Sequence, residues 1–132
     1  MRQYLLDTDI SVNYLRDSIA TVRKVQTLGV ANLYISEITV AELKYGAAKS
    51  NRPAHNRQEV NSFCAKFRIV RLNQVFDVFA AEKVRLEKLG LRLDDFDLLI
   101  GATAIRYGFI LATNNIKHFE RMQNLSLESW TT

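Results

Sequence analysis

Short apolar runs alternate along this chain with longer segments whose apolar positions recur at helical spacing. The short runs predict strands at Tyr4–Leu6, Leu33–Ser36, 69–72, 109–113 and 125–130. The longer segments predict one or two short helices over 10–28 and further helices at 39–48, 60–67, 75–89 and 98–108. Strands that alternate with helices are typical of an α/β fold, so we expect a central, mostly parallel sheet with helices on both faces.

Polar segments separate these elements. The stretch KSNRPAHNR, at 49–57, holds the one proline and predicts a loop, and NNIKHF, at 114–119, predicts a turn. Trp130 is expected to anchor the last strand. Neither repeats nor a linker interrupt the sequence, which predicts a single domain over 1–132. Four phenylalanines at helical spacing are expected to pack in the core: Phe63, Phe67, Phe76 and Phe79.

Composition adds little about function. A hydrophobic content of 48% is enough for a core, and a net charge of +4 gives only a mild preference for polyanionic partners. The single cysteine, Cys64, cannot form an internal disulfide and is expected to pack as a small apolar residue. No segment has the pattern of a signal peptide or the length of a membrane span, so we expect a cytoplasmic protein without membrane contact.

Acidic and polar side chains occur where strands end and helices begin. Asp7 and Asp9 follow the first strand, Glu42 lies early in the helix after the second, Asp97 precedes a small-residue helix, and Thr113 ends the fourth strand. In parallel sheets, ligands bind outside the carboxyl ends of the strands. These side chains are therefore placed where a site is usually built.

Each acid also has a purely structural interpretation. Asp9 is a good N-cap for the helix that follows it, and Glu42 forms a capping-box pattern with Thr39. One aspartate of the pair at 94–95 is expected to cap the next helix, leaving Asp97 in a first turn that favours a carboxylate. No single acid therefore establishes a site.

The joint occurrence of the acids favours a metal site. Two carboxylates about 4 Å apart repel each other by roughly 4 kcal/mol in a surface-like dielectric, and a cation would offset that repulsion. Oxygen ligands without a cluster of Cys and His select Mg²⁺ or Mn²⁺ rather than zinc. Such an ion can polarise a phosphoryl oxygen and supply hydroxide, which suits hydrolysis of phosphodiesters.

Four ordered motifs carry a resemblance to a known family: LLDTDISVNYL, SEITVAELKYGAAKS, DLLIGATA and ATNNIKHFERMQNLSLESW. Together they resemble, from end to end, the PIN-domain toxins of VapBC toxin–antitoxin pairs. The resemblance implies a PIN fold with an acidic pocket for Mg²⁺ or Mn²⁺ and a ribonuclease held inactive by a VapB-type antitoxin. It further implies a homodimer, a higher toxin–antitoxin assembly, and binding to operator DNA only through the antitoxin.

Carried over by position, the family's catalytic and metal-binding acids correspond to Asp7, Glu42 and Asp97. The family's hydroxyl after the fourth strand corresponds to Thr113, which would orient Asp7 or a bound water. We expect this set to hold the ion that activates water for RNA cleavage, leaving a 5′-phosphate and a 3′-hydroxyl.

The last motif departs from the family pattern. Many relatives carry a fourth acid there, where this chain has Asn115 or, further along, His118. The departure favours one firmly held ion, with Asn115 or Asp9 acting through water.

The resemblance also suggests an RNA substrate. Closely similar toxins cut structured RNA, including the anticodon stem-loop of initiator tRNA, so tRNA is the expected target and inhibition of translation the expected result. Four basic residues are candidates for steering the RNA backbone, although a solvated basic face would look the same: Lys44, Lys49, Arg52 and Arg57.

Two other functions remain open at this level. The DTD motif also opens haloacid dehalogenase-type phosphatases, in which Asp7 would be a nucleophile, although the order of the later motifs is wrong for that family. A catalytically impaired PIN-type module that binds RNA or a partner would explain the missing fourth acid. Cleavage that depends on a divalent ion distinguishes the nuclease from both.

Overall fold

The fold, seen in a computed structural model that describes residues 2–130, is a sheet with helices on both sides. Its strands are β1 (Tyr4–Leu6), β2 (Leu33–Ser36), β3 (Arg68–Val70), β4 (Ile110–Ala112) and β5 (Ser126–Glu128). Its α-helices are α1 (Thr8–Leu15), α2 (Ile19–Leu28), α3 (Glu37–Ala48), α4 (Pro53–Lys66), α5 (Phe76–Lys88), α6 (Asp95–Tyr107) and α7 (Ile116–Phe119). A 3₁₀ turn, Val30–Asn32, precedes β2.

The five strands form one sheet in the order β3-β2-β1-β4-β5, and every pairing between neighbours is parallel. Because β1 lies at the centre, its end is flanked by the ends of β2 and β4. The backbone N–H of Asp7 donates to the carbonyl of Ala112 at 2.9 Å, and that of Thr113 donates to Glu128 at 3.0 Å. The residues that follow these strands therefore share one edge of the sheet.

Side chains alternate across the sheet and bury both of its faces. Tyr4 and Leu6 point into a cluster formed with α1, α3 and α4, whereas Leu5 points into a cluster formed with α5 and α6. Continuous apolar runs such as YLL are what a strand covered on both faces requires. The predicted α/β architecture is confirmed. Cys64 packs against the first cluster, as expected.

Two predicted connections differ from the structure. Pro53 was expected in a loop, but it is the first residue of α4. A proline suits that position because its ring fixes φ at a helical value and its missing N–H would have had no partner in the helix. The segment at 114–119 was expected to be a turn, and it contains the four-residue helix α7.

The predicted core aromatics are correct with one exception. Phe63 and Phe67 are buried, and Phe79 packs against the second cluster from a partly buried position. Phe76 is 54% exposed at the first residue of α5 and belongs to neither core cluster. Trp130 is buried against Tyr4, with ring centres 6.2 Å apart, and anchors the chain after β5 as predicted.

None of the helices within residues 2–130 is both long and apolar enough to cross a membrane.

Candidate active site

Asp7 lies at the junction of β1 and α1 and is only 5% exposed. Its Oδ1 accepts a hydrogen bond from the backbone N–H of Thr8 at 2.8 Å, so Asp7 is the N-cap of α1. Its Oδ2 accepts from the hydroxyl of Thr113 at 2.8 Å, after β4. The predicted contact between Thr113 and Asp7 is therefore present, and it fixes the carboxylate between two neighbouring strand ends.

Asp9 is not the N-cap that the sequence suggested, because α1 begins at Thr8, two residues before the predicted start at Ile10, and Asp9 lies in its first turn. Its Oδ1 accepts from the backbone N–H of Ile10 at 2.7 Å, and its Oδ2 accepts from that of Asn114 at 3.0 Å. The side-chain oxygen of Asn114 in turn accepts from the backbone N–H of Trp130 at 3.0 Å. Asp9 thus ties the start of α1 to the turn after β4.

Asp97 occupies the first turn of α6, as predicted, because Asp94 is the N-cap and accepts from the backbone N–H of Phe96. Its Oδ2 lies 3.4 Å from Nδ1 of His118 on α7. Asn115 reaches the same ring nitrogen, with its Nδ2 at 2.9 Å. Of the two positions that lack the family's fourth acid, His118 therefore lies beside Asp97, and Asn115 contacts His118.

Glu42 does not belong to a capping box, because α3 begins at Glu37 and is capped by Ser36, whose hydroxyl accepts from the backbone N–H of Ile38. Glu42 is therefore free for another role. Its Oε1 accepts a hydrogen bond from the hydroxyl of Thr8 at 2.7 Å, and that hydroxyl lies 3.0 Å from the hydroxyl of Thr39.

Thr8 was not among the sequence-based candidates. Through its backbone it binds Asp7 and through its hydroxyl it binds Glu42, so it joins two acids that are far apart in the sequence. The one feature of the sequence that could have indicated Thr8 was its position beside Asp7, after a buried strand. Thr8 holds Glu42 close to the Asp7 end of the sheet.

The acids influence each other strongly. Burial, followed by the charge of Asp9, raises the pKa of Asp7 to about 7, with a smaller contribution from Asp97, although hydrogen bonds from Thr113 and Thr8 oppose the change. Burial also raises the pKa of Asp9. The pKa of Asp97 is raised by burial first and then by Asp94 and Asp9, against the opposing effect of His118. Asp7, Asp9 and Asp97 therefore share one region of negative potential.

The side chains at this edge of the sheet offer carboxylate oxygens, which are the ligands that a hard divalent ion prefers. As the side chains stand in the described part of the chain, no three of its His, Cys, Asp and Glu residues are arranged to hold an ion. The hydrogen bond from Thr8 holds Glu42, which would have to turn toward the aspartates on binding. The site is crowded with acids but is not a preformed cage.

A groove of about 620 Å³ runs between α1, α3 and α4 beside this edge. Thr8, Glu42 and Lys49 line it, so one of the predicted basic residues lies close to a candidate acid. Lys44 instead donates to the side chain of Asn61 at 3.0 Å. Arg52 and Arg57 are exposed near the start of α4. The four basic residues do not converge on a single point.

Comparisons with known proteins agree with this geometry. The PIN-domain family profile matches residues 4–125. A Rickettsia felis protein named ribonuclease VapC2 is 36% identical, over 96% of this chain and 97% of its own length. The tRNA(fMet)-specific endonuclease VapC of Shigella flexneri is 30% identical, over 99% of this chain and 100% of its own length. A chain of Rickettsia felis VapBC2, solved bound to a promoter DNA fragment, matches with a TM-score of 0.91 and 33% identity. The match covers 97% of this chain and 98% of that chain.

Proposed function

Because this chain belongs to the VapC family of PIN-domain ribonuclease toxins of VapBC pairs, we propose that it is an endoribonuclease dependent on Mg²⁺ or Mn²⁺. The observation that carries the proposal is the crowding of Asp7, Asp9 and Asp97 at the carboxyl edge of the sheet, where the pKa of Asp7 rises to about 7. A divalent ion is the group that would relieve this repulsion. Membership of the PIN family also excludes the haloacid dehalogenase alternative.

Asp7, Glu42 and Asp97 would hold the ion, which when bound would polarise a phosphodiester and supply hydroxide at neutral pH. Thr113 keeps the Asp7 carboxylate oriented by donating to its Oδ2. Asp9 and Asn115 each contact the turn after β4, at the same edge of the sheet, and would bind the ion through water. Because water rather than a ribose hydroxyl would attack the phosphorus, the products would carry a 5′-phosphate and a 3′-hydroxyl.

The substrate that we propose is tRNA, in particular the anticodon stem-loop of initiator tRNA, whose loss would inhibit translation. Support comes from the Shigella flexneri relative, which is named for that RNA. Lys49, in the groove beside Glu42, is the best placed of the basic residues to contact the phosphate backbone. Lys44, Arg52 and Arg57 would contribute to longer-range attraction, which weakens as salt concentration rises.

The partner that we propose is a VapB-type antitoxin, which inhibits the enzyme in the cytoplasm and carries the contacts to operator DNA. The Rickettsia felis relative was solved as a VapBC2 complex on promoter DNA, which supports this assignment. We also propose that the toxin forms a homodimer within the larger assembly.

A direct test is to incubate the purified protein with total cellular RNA in Mg²⁺, Mn²⁺ or EDTA and to map new 5′ ends. We expect cleavage in one tRNA, present with either ion and absent in EDTA. The departure at Asn115 and His118 favours a second candidate, an impaired module that binds RNA without cutting it. RNA binding that survives EDTA, with no new ends in any condition, would support that second candidate.

Replacing Thr113 by valine tests the orientation of Asp7. The change removes the hydrogen bond to Oδ2, so it should raise the pKa of Asp7 further and lower the rate of cleavage by about 10- to 100-fold. Thr113→Ser keeps the hydroxyl and is the matched control, with a rate near that of the wild type. A valine variant with an unchanged pH–rate profile would show that the hydroxyl does not act on Asp7.

A further inference from the structure

His118 is held beside Asp97 by the short helix α7. The neighbouring side chain, Phe119, is completely buried in the core and anchors that helix to the sheet. The imidazole is 43% exposed, and its Nδ1 lies 3.4 Å from Oδ2 of Asp97. The buried Phe119 therefore fixes the position of the neighbouring His118, and one nitrogen of the imidazole is directed toward a candidate metal ligand.

The separation of the two atoms suits a shared ion. Two ligand atoms that bind one ion at right angles, with bonds of about 2.2 Å, lie roughly 3 Å apart. The distance of 3.4 Å between Nδ1 of His118 and Oδ2 of Asp97 is close to that separation. Only a small movement would bring both atoms to one ion.

Asn115 contacts the same ring nitrogen, because its Nδ2 lies 2.9 Å from Nδ1 of His118. The amide donates to Nδ1 in the tautomer that leaves this nitrogen without a proton, and a metal ligand requires the same tautomer. Asn115 therefore helps to hold the ring beside Asp97.

From these contacts we propose that His118 supplies a nitrogen ligand beside Asp97 and thereby shifts the ion preference of the site from Mg²⁺ toward Mn²⁺. The proposal rests on the metal-dependent function proposed above. Imidazole binds transition-metal ions well, whereas Mg²⁺ prefers oxygen ligands. A neutral ligand here also adds no negative charge to a cluster in which Asp7, Asp9 and Asp97 already repel one another.

The alternative role for His118 is a charged partner that donates from Nδ1 to Asp97 and never contacts the ion. Both roles would weaken metal binding when the ring is removed, so affinity alone does not separate them. A nitrogen bound to Mn²⁺ produces a hyperfine coupling in pulsed electron paramagnetic resonance, and a nitrogen that only donates a hydrogen bond to a ligand produces no directly bound signal.

The experiment uses the full chain with Mn²⁺ and, separately, Mg²⁺, in the wild type and in His118→Asn. The matched control is His55→Asn, which removes the chain's other histidine, an exposed residue on α4 near Glu59. Calorimetry gives the dissociation constants, and pulsed resonance reports nitrogen bound to Mn²⁺. Thermal unfolding without metal confirms that each variant is folded.

We expect a directly bound nitrogen in the wild type and in His55→Asn, and none in His118→Asn. The preference for Mn²⁺ over Mg²⁺, measured as the ratio of dissociation constants, should fall by about tenfold in His118→Asn alone. Saturable Mn²⁺ binding that lacks a bound nitrogen would overturn the inference and leave the proposed nuclease intact. If the wild type binds neither ion, the proposed metal-dependent function fails, and the inference fails with it.

Discussion

Asp7→Asn is expected to stabilise the metal-free protein at about pH 8 by as much as roughly 4 kcal/mol, while reducing RNA cleavage by at least about 10³-fold. The gain arises because the carboxyl group is buried beside Asp9, which raises its pKa from 3.8 to about 7. The oxygen of an asparagine can accept from the backbone N–H of Thr8 while its amide donates to the hydroxyl of Thr113, and no charge is buried. The loss of activity arises because a proposed ion ligand is removed.

The sign of the pH dependence follows from the raised pKa. Between its unfolded value of 3.8 and its folded value of about 7, Asp7 binds more protons in the folded state than in the unfolded state. Its contribution to stability is therefore present at low pH and is lost as the pH rises through this interval. Asp9 and Asp97, whose pKa values are also raised, act in the same direction.

Urea denaturation in EDTA at about pH 5 and pH 8 checks the stability of Asp7→Asn and the pH dependence. The difference in free energy of unfolding between the variant and the wild type should be larger at the higher pH. Asp77→Asn, at an exposed acid in the first turn of α5, is the matched control and should show little difference between the two pH values. A variant at Asp7 that is less stable than the wild type at the higher pH would contradict the account.

Divalent ions are expected to stabilise the wild-type protein strongly. At an ion concentration about 100 times the dissociation constant, binding to the folded state alone adds about 2.7 kcal/mol to the free energy of unfolding. Because the ion needs Asp7 in its ionised form, its affinity should rise between about pH 6 and pH 8. Thermal unfolding with increasing Mn²⁺ measures both effects.

Variants of the acids identify which residues are responsible for the stabilisation by Mn²⁺. Asp7→Asn and Asp97→Asn should each remove most of the stabilisation by Mn²⁺, and Asp77→Asn should retain it. Glu42→Gln should reduce the stabilisation and also loosen the contact between Thr8 and α3, because an amide oxygen accepts a weaker hydrogen bond than a carboxylate. Equal stabilisation of all four variants would mean that the ion binds elsewhere.

The sheet and the position of Asp7 could be predicted from the sequence because both depend on short-range patterns. An apolar run of the YLL type requires cover on both faces, and an acid directly after it is placed at the carboxyl edge. Asp97 could be placed in a first turn because Asp94 is a strong N-cap. In each case the local sequence leaves few alternatives.

The contacts that complete the site could not be predicted, because they join side chains across different elements. The hydrogen bond between Thr8 and Glu42 depends on how α1 packs against α3, and the approach of His118 to Asp97 depends on how Phe119 anchors α7. Helix starts were misassigned at Asp9 and Thr39 because several capping residues stood close together and any of them would serve.

Anomalous diffraction at the manganese edge, from crystals grown with Mn²⁺, shows directly whether Asp7, Glu42 and Asp97 bind one divalent ion. We expect one strong peak at the carboxyl edge of the sheet, about 2.2 Å from carboxylate oxygens of Asp7 and Asp97 and within reach of Glu42. Mn²⁺ found only at other acids, with no peak between Asp7 and Asp97, would show that these acids do not form the metal site.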